Sequence, residues 1–249
     1  LAVLVVACPC ALSLATPAAM AALTAWLRRN GVMVRGEFGL LSIAEIDQVL
    51  IDKTGTLTET KLAIDSVDLA PGVALEQVLA LSSALQQVSS HPAARAFHDI
   101  APNPMVDEVE IIVGAGIQGR MMPGCQALRL GSARFCAEWV TDLPPEPDTS
   151  HYWVALVQDA QWLAWIGLSE TLRPGAMKAI TGIKQLGLDV QLLSGDLEPR
   201  VAAIAGKLDT GFYANNNPGD KLAVVQHLQA QGHRVLAVGD GLNDAPLLG

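Results

Sequence analysis

Asp52 follows the apolar, partly β-branched run Gln48-Val49-Leu50-Ile51, and Lys53, Thr54, Gly55, Thr56 come directly after it. The run reads as a short buried parallel strand with Asp52 at its carboxyl end and Gly55 turning the chain, which is where open α/β sheets place their ligands. A carboxylate nucleophile beside a lysine, two hydroxyls and turn N–H groups suits phosphoryl chemistry. Two later strand ends bring matching groups. Asp189-Val190-Gln191-Leu192-Leu193 leads to Ser194-Gly195-Asp196, and Arg234-Val235-Leu236-Ala237-Val238 leads to Gly239-Asp240-Gly241-Leu242-Asn243-Asp244. Lys221, in the first turn of a helix expected over 219–231, adds a cation. Convergence of these groups defines a phosphoryl-transfer site.

A second chemistry is written near the start. Leu1 to Leu27 carries no charged residue, and Arg28, Arg29 and Arg35 follow. The pattern predicts a transmembrane helix over 1–27 whose basic end faces the cytoplasm. Within it Pro9, lying between Cys8 and Cys10, removes a backbone hydrogen bond of the helix, and this thiol pair suits a soft cation such as Cu(I), Ag(I), Zn(II) or Cd(II).

The elements that position the first site are interrupted. Residues 28–47 read as a stalk with a short strand over 32–36. From 63 to 167 the pattern is instead a helix over 73–88, the pair His91-Pro92, a helix over 93–99, and strands over 106–113, 116–122, 126–131, 152–157 and 162–167. The doubly wound pattern then resumes with helices over 170–186 and 199–208 and a strand over 211–214. Gly114-Ala115-Gly116-Ile117-Gln118-Gly119 spells the dinucleotide fingerprint, yet it runs into Arg120-Met121-Met122-Pro123 rather than a helix, so a hairpin bend is expected there.

The run DKTGTLT at 52–58 matches the phosphorylation signature of P-type cation-pumping ATPases, GDGLND at 239–244 their hinge, and CPCALSLATP at 8–17 resembles the ion-site helix of the heavy-metal-transporting branch, most like its copper-transporting members. The resemblance implies a transmembrane helix (1–27), a stalk and first part of a haloacid-dehalogenase-like, Rossmann-type α/β phosphorylation domain (28–62), an inserted α+β nucleotide-binding domain (63–167), and the second part of the phosphorylation domain (168–249). It implies that Asp52 takes the γ-phosphate of ATP. Asp52, Thr54, Asp240 and Asp244 would surround Mg²⁺; Lys53, Ser194, Gly195, Asp196, Lys221 and Asn243 would complete the catalytic set. His91, Gly114, Gly116 and Gly131 would bind the nucleotide, and Cys8 and Cys10 the transported Cu(I), or Zn(II)/Cd(II). Implied partners are the lipid bilayer, the actuator domain and further membrane helices of a longer protein, and a metallochaperone. The chain reads as an internal fragment of such a protein. Three positions depart from the family pattern: Ser90 stands where Glu is frequent, Gly131-Ser132 replaces Gly-Asn, and Ser194 replaces Thr.

Composition agrees. The net charge is −9, and residues 63–167 hold 12 Asp/Glu against 4 Lys/Arg, which disfavours nucleic acid as a partner. Four cysteines make no disulfide framework. A soluble haloacid-dehalogenase-type phosphatase would carry a second Asp two residues after the nucleophile, where this chain has Thr54. A non-catalytic metal-binding membrane protein would not need 194–196, 221 or 239–244.

Overall fold

The computed structural model describes residues 10–35 and 37–241. Helices α1 (Cys10–Arg29) and α2 (Glu37–Ser42) precede strand β1 (Gln48–Asp52), all five residues of which are buried. Strands β8 (Asp189–Leu193), β9 (Gly211–Tyr213) and β10 (Val235–Val238) join it in a parallel sheet of order β10-β1-β8-β9. Both faces of such a sheet must be covered, so its strands are apolar in both directions. Val49 and Ile51 face helices α5 (Ala176–Gln185) and α6 (Glu198–Leu208) through Ile180, Val201 and Ile204. Leu50 faces α7 (Pro218–Ala230) through Val225 and Leu228.

The insert is a six-stranded antiparallel sheet of order β2-β7-β6-β5-β4-β3. It comprises β2 (Thr58–Leu69), β3 (Val106–Ile112), β4 (Gly116–Met121), β5 (Gln126–Gly131), β6 (Tyr152–Gln158) and β7 (Gln161–Leu172). Helix α3 (Leu75–Gln86) and the 3₁₀ turn Pro92–Phe97 cover one face with Val78, Leu81, Leu85 and Phe97. Helix α4 (Ala133–Ala137) covers the other, where Phe135 and Cys136 meet Trp153, Ala155 and Val157. The alternation of 153, 155, 157 against 154, 156 is the period-two pattern of a strand buried on both faces.

Three expectations change. Residues 58–69 form a long strand and 161–172 its antiparallel partner, so the insert's sheet reaches beyond 63–167 at both ends. The expected helix from 170 starts at Ala176 because the β2–β7 ladder holds the chain extended to Leu172. Residues 32–35 form no strand, having no neighbour to pair with among the described elements.

Nor do the described residues bear out the membrane-spanning helix: none of their helices is long and apolar enough to cross a membrane. The part of that expected span which is described falls in α1, an Ala-rich helix with Pro17 inside. Residues 1–9, Cys8 among them, lie outside the described residues, as do Asn243 and Asp244, and of Cys10 only its backbone place at the start of α1 is described.

Candidate active site and nucleotide cavity

The parallel register sets the site. Asp52 pairs with Leu193, so Ser194 to Asp196 leave the sheet beside it, and Ile51 pairs with Val238, which puts Asp240 on its other side. Asp52 is 7% exposed and its Oδ1 lies 2.5 Å from the Lys221 ammonium, itself 5% exposed. Charges this buried are tolerable because each meets an opposite charge at contact distance. Lys221 is delivered by the first turn of α7, which opens with Pro218 and a capping box between Asn217 and Asp220.

Lys53 is 1% exposed. Its ammonium meets Glu170 Oε1 at 2.8 Å and Asp196 Oδ2 at 3.1 Å. Burial opposes ionisation of Asp196, but the Leu197 N–H and the Lys53 charge more than offset it and hold the carboxyl below the usual carboxylate range. Ser194 is buried, and its Oγ accepts from the Asp196 N–H at 3.2 Å, so a hydroxyl suffices there without the methyl of Thr. Gly195 sits where a Cβ would come within 3.1 Å of the Asn216 carbonyl. After Thr54, Gly55 adopts φ +80°, and a Cβ on it would lie 2.7 Å from Asp240 Oδ2. Glycine is required twice over, by conformation and by the approach of that carboxylate.

Asp52, Lys53, Ser194, Gly195, Asp196, Lys221 and Asp240 are thus brought together around one loop. Sequence reasoning missed Glu170 and Arg173. Glu170 also accepts from Thr58 Oγ1 at 2.6 Å, tying both strands that enter and leave the insert to Lys53, and Arg173 donates to the Gly55 carbonyl at 2.8 Å. Their signal was charge just past an apolar strand, obscured by assigning residues 170–186 to a helix.

The donors around Asp52 are hard oxygens. Two carboxylates, Asp52 and Asp240, flank the Thr54–Gly55 backbone, a set that fits Mg²⁺, which takes one or two carboxylates and completes its shell with water and substrate phosphate. Among the described residues there is no cluster of three or more His, Cys, Asp and Glu.

His91, Gly114, Gly116 and Gly131 meet in the insert at a cavity of about 440 Å³ that Ser132 and Val154 also line. His91 caps the 3₁₀ turn: its Nδ1 accepts from the Ala93 N–H at 3.2 Å, which leaves Nε2 for a ligand. The hairpin expected in place of a dinucleotide fold is present, Gly114 (φ +75°) turning β3 into β4. Gly116 and Gly131 are register partners, and a Cβ on either would lie within 2.9 Å of both the facing backbone and Phe135. Their glycines are therefore required by strand packing at the cavity wall. Ser132 caps α4 by accepting from the Phe135 N–H.

The profile of the haloacid dehalogenase-like hydrolases matches residues 46–248. The chain belongs to that family. Within it, the chain is 36% identical to nitrogen fixation protein FixI of Rhizobium meliloti (99% of this chain, 32% of the relative). It is 35% identical to a zinc/cadmium/lead-transporting P-type ATPase of Escherichia coli and to a copper-transporting ATPase of Helicobacter felis, in each case over 100% of this chain and 34% of the relative. It therefore spans about a third of the length of these relatives. The structure of a zinc-transporting PIB-type ATPase in its E2.Pi state superimposes with a TM-score of 0.83 at 31% identity, covering 96% of this chain and 40% of that one. This haloacid dehalogenase-like hydrolase thus has the phosphorylation domain and antiparallel nucleotide-domain insert of the PIB-type ATPases.

Proposed function

We propose that the chain is the phosphorylating and nucleotide-binding part of an ATP-driven pump for a soft heavy-metal cation, Cu(I). The observation that carries this reading is the placement of Asp52 at the carboxyl end of β1, held by Lys221 and flanked by Asp240. With the adenine in the His91 cavity, an Asp52 carboxylate oxygen attacks the γ-phosphorus. The bond from phosphorus to the β,γ-bridging oxygen breaks, ADP leaves with the electron pair, and the product is an aspartyl-phosphate. Lys221 neutralises charge on the transferring group, and Lys53, held by Glu170 and Asp196, fixes the loop. Mg²⁺ held by Asp52, Asp240 and the Thr54 carbonyl would offset charge on the phosphate oxygens.

Thr54 supplies no general base at the position where a phosphatase of this fold carries Asp, which favours a lasting phosphoenzyme over direct hydrolysis. The complete protein is read as membrane-embedded with these domains cytoplasmic, supported by the uncharged stretch 1–27 and the Arg28, Arg29 and Arg35 that follow. The remaining membrane helices, an actuator domain and a metallochaperone would be its further partners. A second reading, transport of Zn(II) or Cd(II), is favoured by the zinc-transporting structural neighbour and by the zinc/cadmium/lead-transporting relative. Cys8 and Cys10 serve either class of ion.

The test is phosphoenzyme formation from γ-labelled ATP in the complete protein, titrated with free Cu(I) and with free Zn(II). Asp52→Asn should abolish the acid-stable, hydroxylamine-labile label, and Cys8→Ser with Cys10→Ser should abolish its Cu(I) stimulation. Label on the Asn variant at wild-type level removes the nucleophile assignment. Stimulation by Zn(II) in place of Cu(I) selects the second reading.

A further inference from the structure

The insert joins the phosphorylation domain through two adjacent antiparallel strands, β2 and β7, which by themselves leave a hinge axis. A third attachment lies off that axis. Tyr152, the first residue of β6, donates from Oη to Asp196 Oδ2 at 3.0 Å. The Arg200 guanidinium of α6 lies 3.7 Å above its ring, contacts Asp196 Oδ1 at 3.3 Å and donates to the His151 carbonyl at 3.4 Å. Asp196 Oδ2 is the same oxygen that holds Lys53, so Tyr152 is linked to the residue adjoining the nucleophile through this one carboxylate. Two residues along β6, on the face that carries Tyr152, Val154 lines the nucleotide cavity. Rotation of the insert about β2 and β7 would therefore move the cavity relative to Asp52 and break the Tyr152–Asp196 bond together.

We propose that Tyr152 is a positioning residue: with Arg200 it latches the insert to Asp196 and so fixes the attitude in which the nucleotide's γ-phosphate is presented to Asp52. The proposal rests on the phosphoenzyme reading above. Burial, then the Asp196 charge, pushes the Tyr152 hydroxyl up to about 12, so it remains a donor at neutral pH. A phenol donating to a carboxylate while its ring stacks on guanidinium is a charge-assisted contact, and loss of one such bond corresponds to about tenfold in a rate that depends on it.

Tyr152→Phe keeps the ring and removes the hydroxyl. In the complete protein the rate of phosphoenzyme formation at saturating ATP should fall about tenfold. Affinity for a non-hydrolysable ATP analogue and phosphorylation by inorganic phosphate should stay at wild-type values. A general loss of structure would lower all three, and that result, or an unchanged ATP-driven rate, overturns the latch. If the wild type forms no phosphoenzyme, the functional reading fails, and the latch is decided without activity. The 249-residue chain has two tyrosines, Tyr152 and Tyr213, so 3-fluorotyrosine labelling yields two ¹⁹F resonances, assigned by Tyr152→Phe. Arg200→Ala should shift the Tyr152 resonance; one that does not move overturns the latch.

Discussion

Asp52 and Lys221 show how a buried charge pair behaves when one member is removed. Both are nearly inaccessible, so Lys221→Met leaves a carboxylate in a dry site with its contacting ammonium gone, a change that costs about 3–5 kcal/mol in comparable pairs. Adding Asp52→Asn removes the buried negative charge that Lys221 had faced and should restore much of that loss. The check is urea unfolding of the single and double variants; a double variant no more stable than Lys221→Met would show that the pair is not the dominant electrostatic contact of either residue. Asp52, Lys221 and Asp240 were legible in the sequence because each sits at a strand end or helix start that local pattern reveals. Glu170 and Tyr152 were not. Glu170 meets Thr58 across 112 residues of chain and Tyr152 meets Asp196 across 44, and nothing in a strand's alternation says which of its polar positions will meet another domain.

At the scale of elements, all five strands expected between 106 and 167 are present, since each alternates cleanly between turns rich in Gly or Pro. Strand β2 was missed: Thr58-Glu59-Thr60-Lys61 is polar, and its extended form comes from pairing with β7 rather than from its own preference. The β4–β5 pair carries a sharper consequence. Gly116 and Gly131 oppose each other, and a methyl on Gly131 would stand 2.5 Å from the Ala115 carbonyl and 2.9 Å from Phe135. These neighbours are backbone and a ring fixed in the core, so they yield only by spreading the strands at the cavity wall. Gly131→Ala should weaken binding of a fluorescent ATP analogue about tenfold or more, matching about 1–3 kcal/mol of overpacking, while far-ultraviolet circular dichroism stays unchanged. Undiminished binding would mean that the ligand does not use this wall.

At the scale of the molecule, the apolar cores of the insert and of the phosphorylation domain share no residue among those described. Those of the insert draw only on residues from Leu62 to Leu168, whereas those of the phosphorylation domain include Leu57 and Leu172 on the crossing strands. Apolar packing therefore passes from one core to the other between Leu57 and Leu62 on one crossing strand and between Leu168 and Leu172 on the other. What crosses between the two is polar: Lys53 with Glu170, and Tyr152 with Asp196. The interruption of the doubly wound pattern over 63–167 pointed to a separate unit, but the reach of its sheet into 58–62 and 168–172 depends on a pairing between distant segments that local pattern does not report. A unit whose apolar contacts close on themselves should fold when cut free, and sites that share no partners act independently. Residues 59–171 expressed alone should unfold cooperatively and bind a non-hydrolysable ATP analogue within about threefold of the 249-residue chain, because the His91 cavity is walled entirely by insert residues. Calorimetric titration of both proteins with the analogue decides it. A loss beyond about tenfold would show that the phosphorylation domain holds part of the nucleotide before transfer, and the division of labour between the His91 cavity and the Asp52 loop would have to be redrawn.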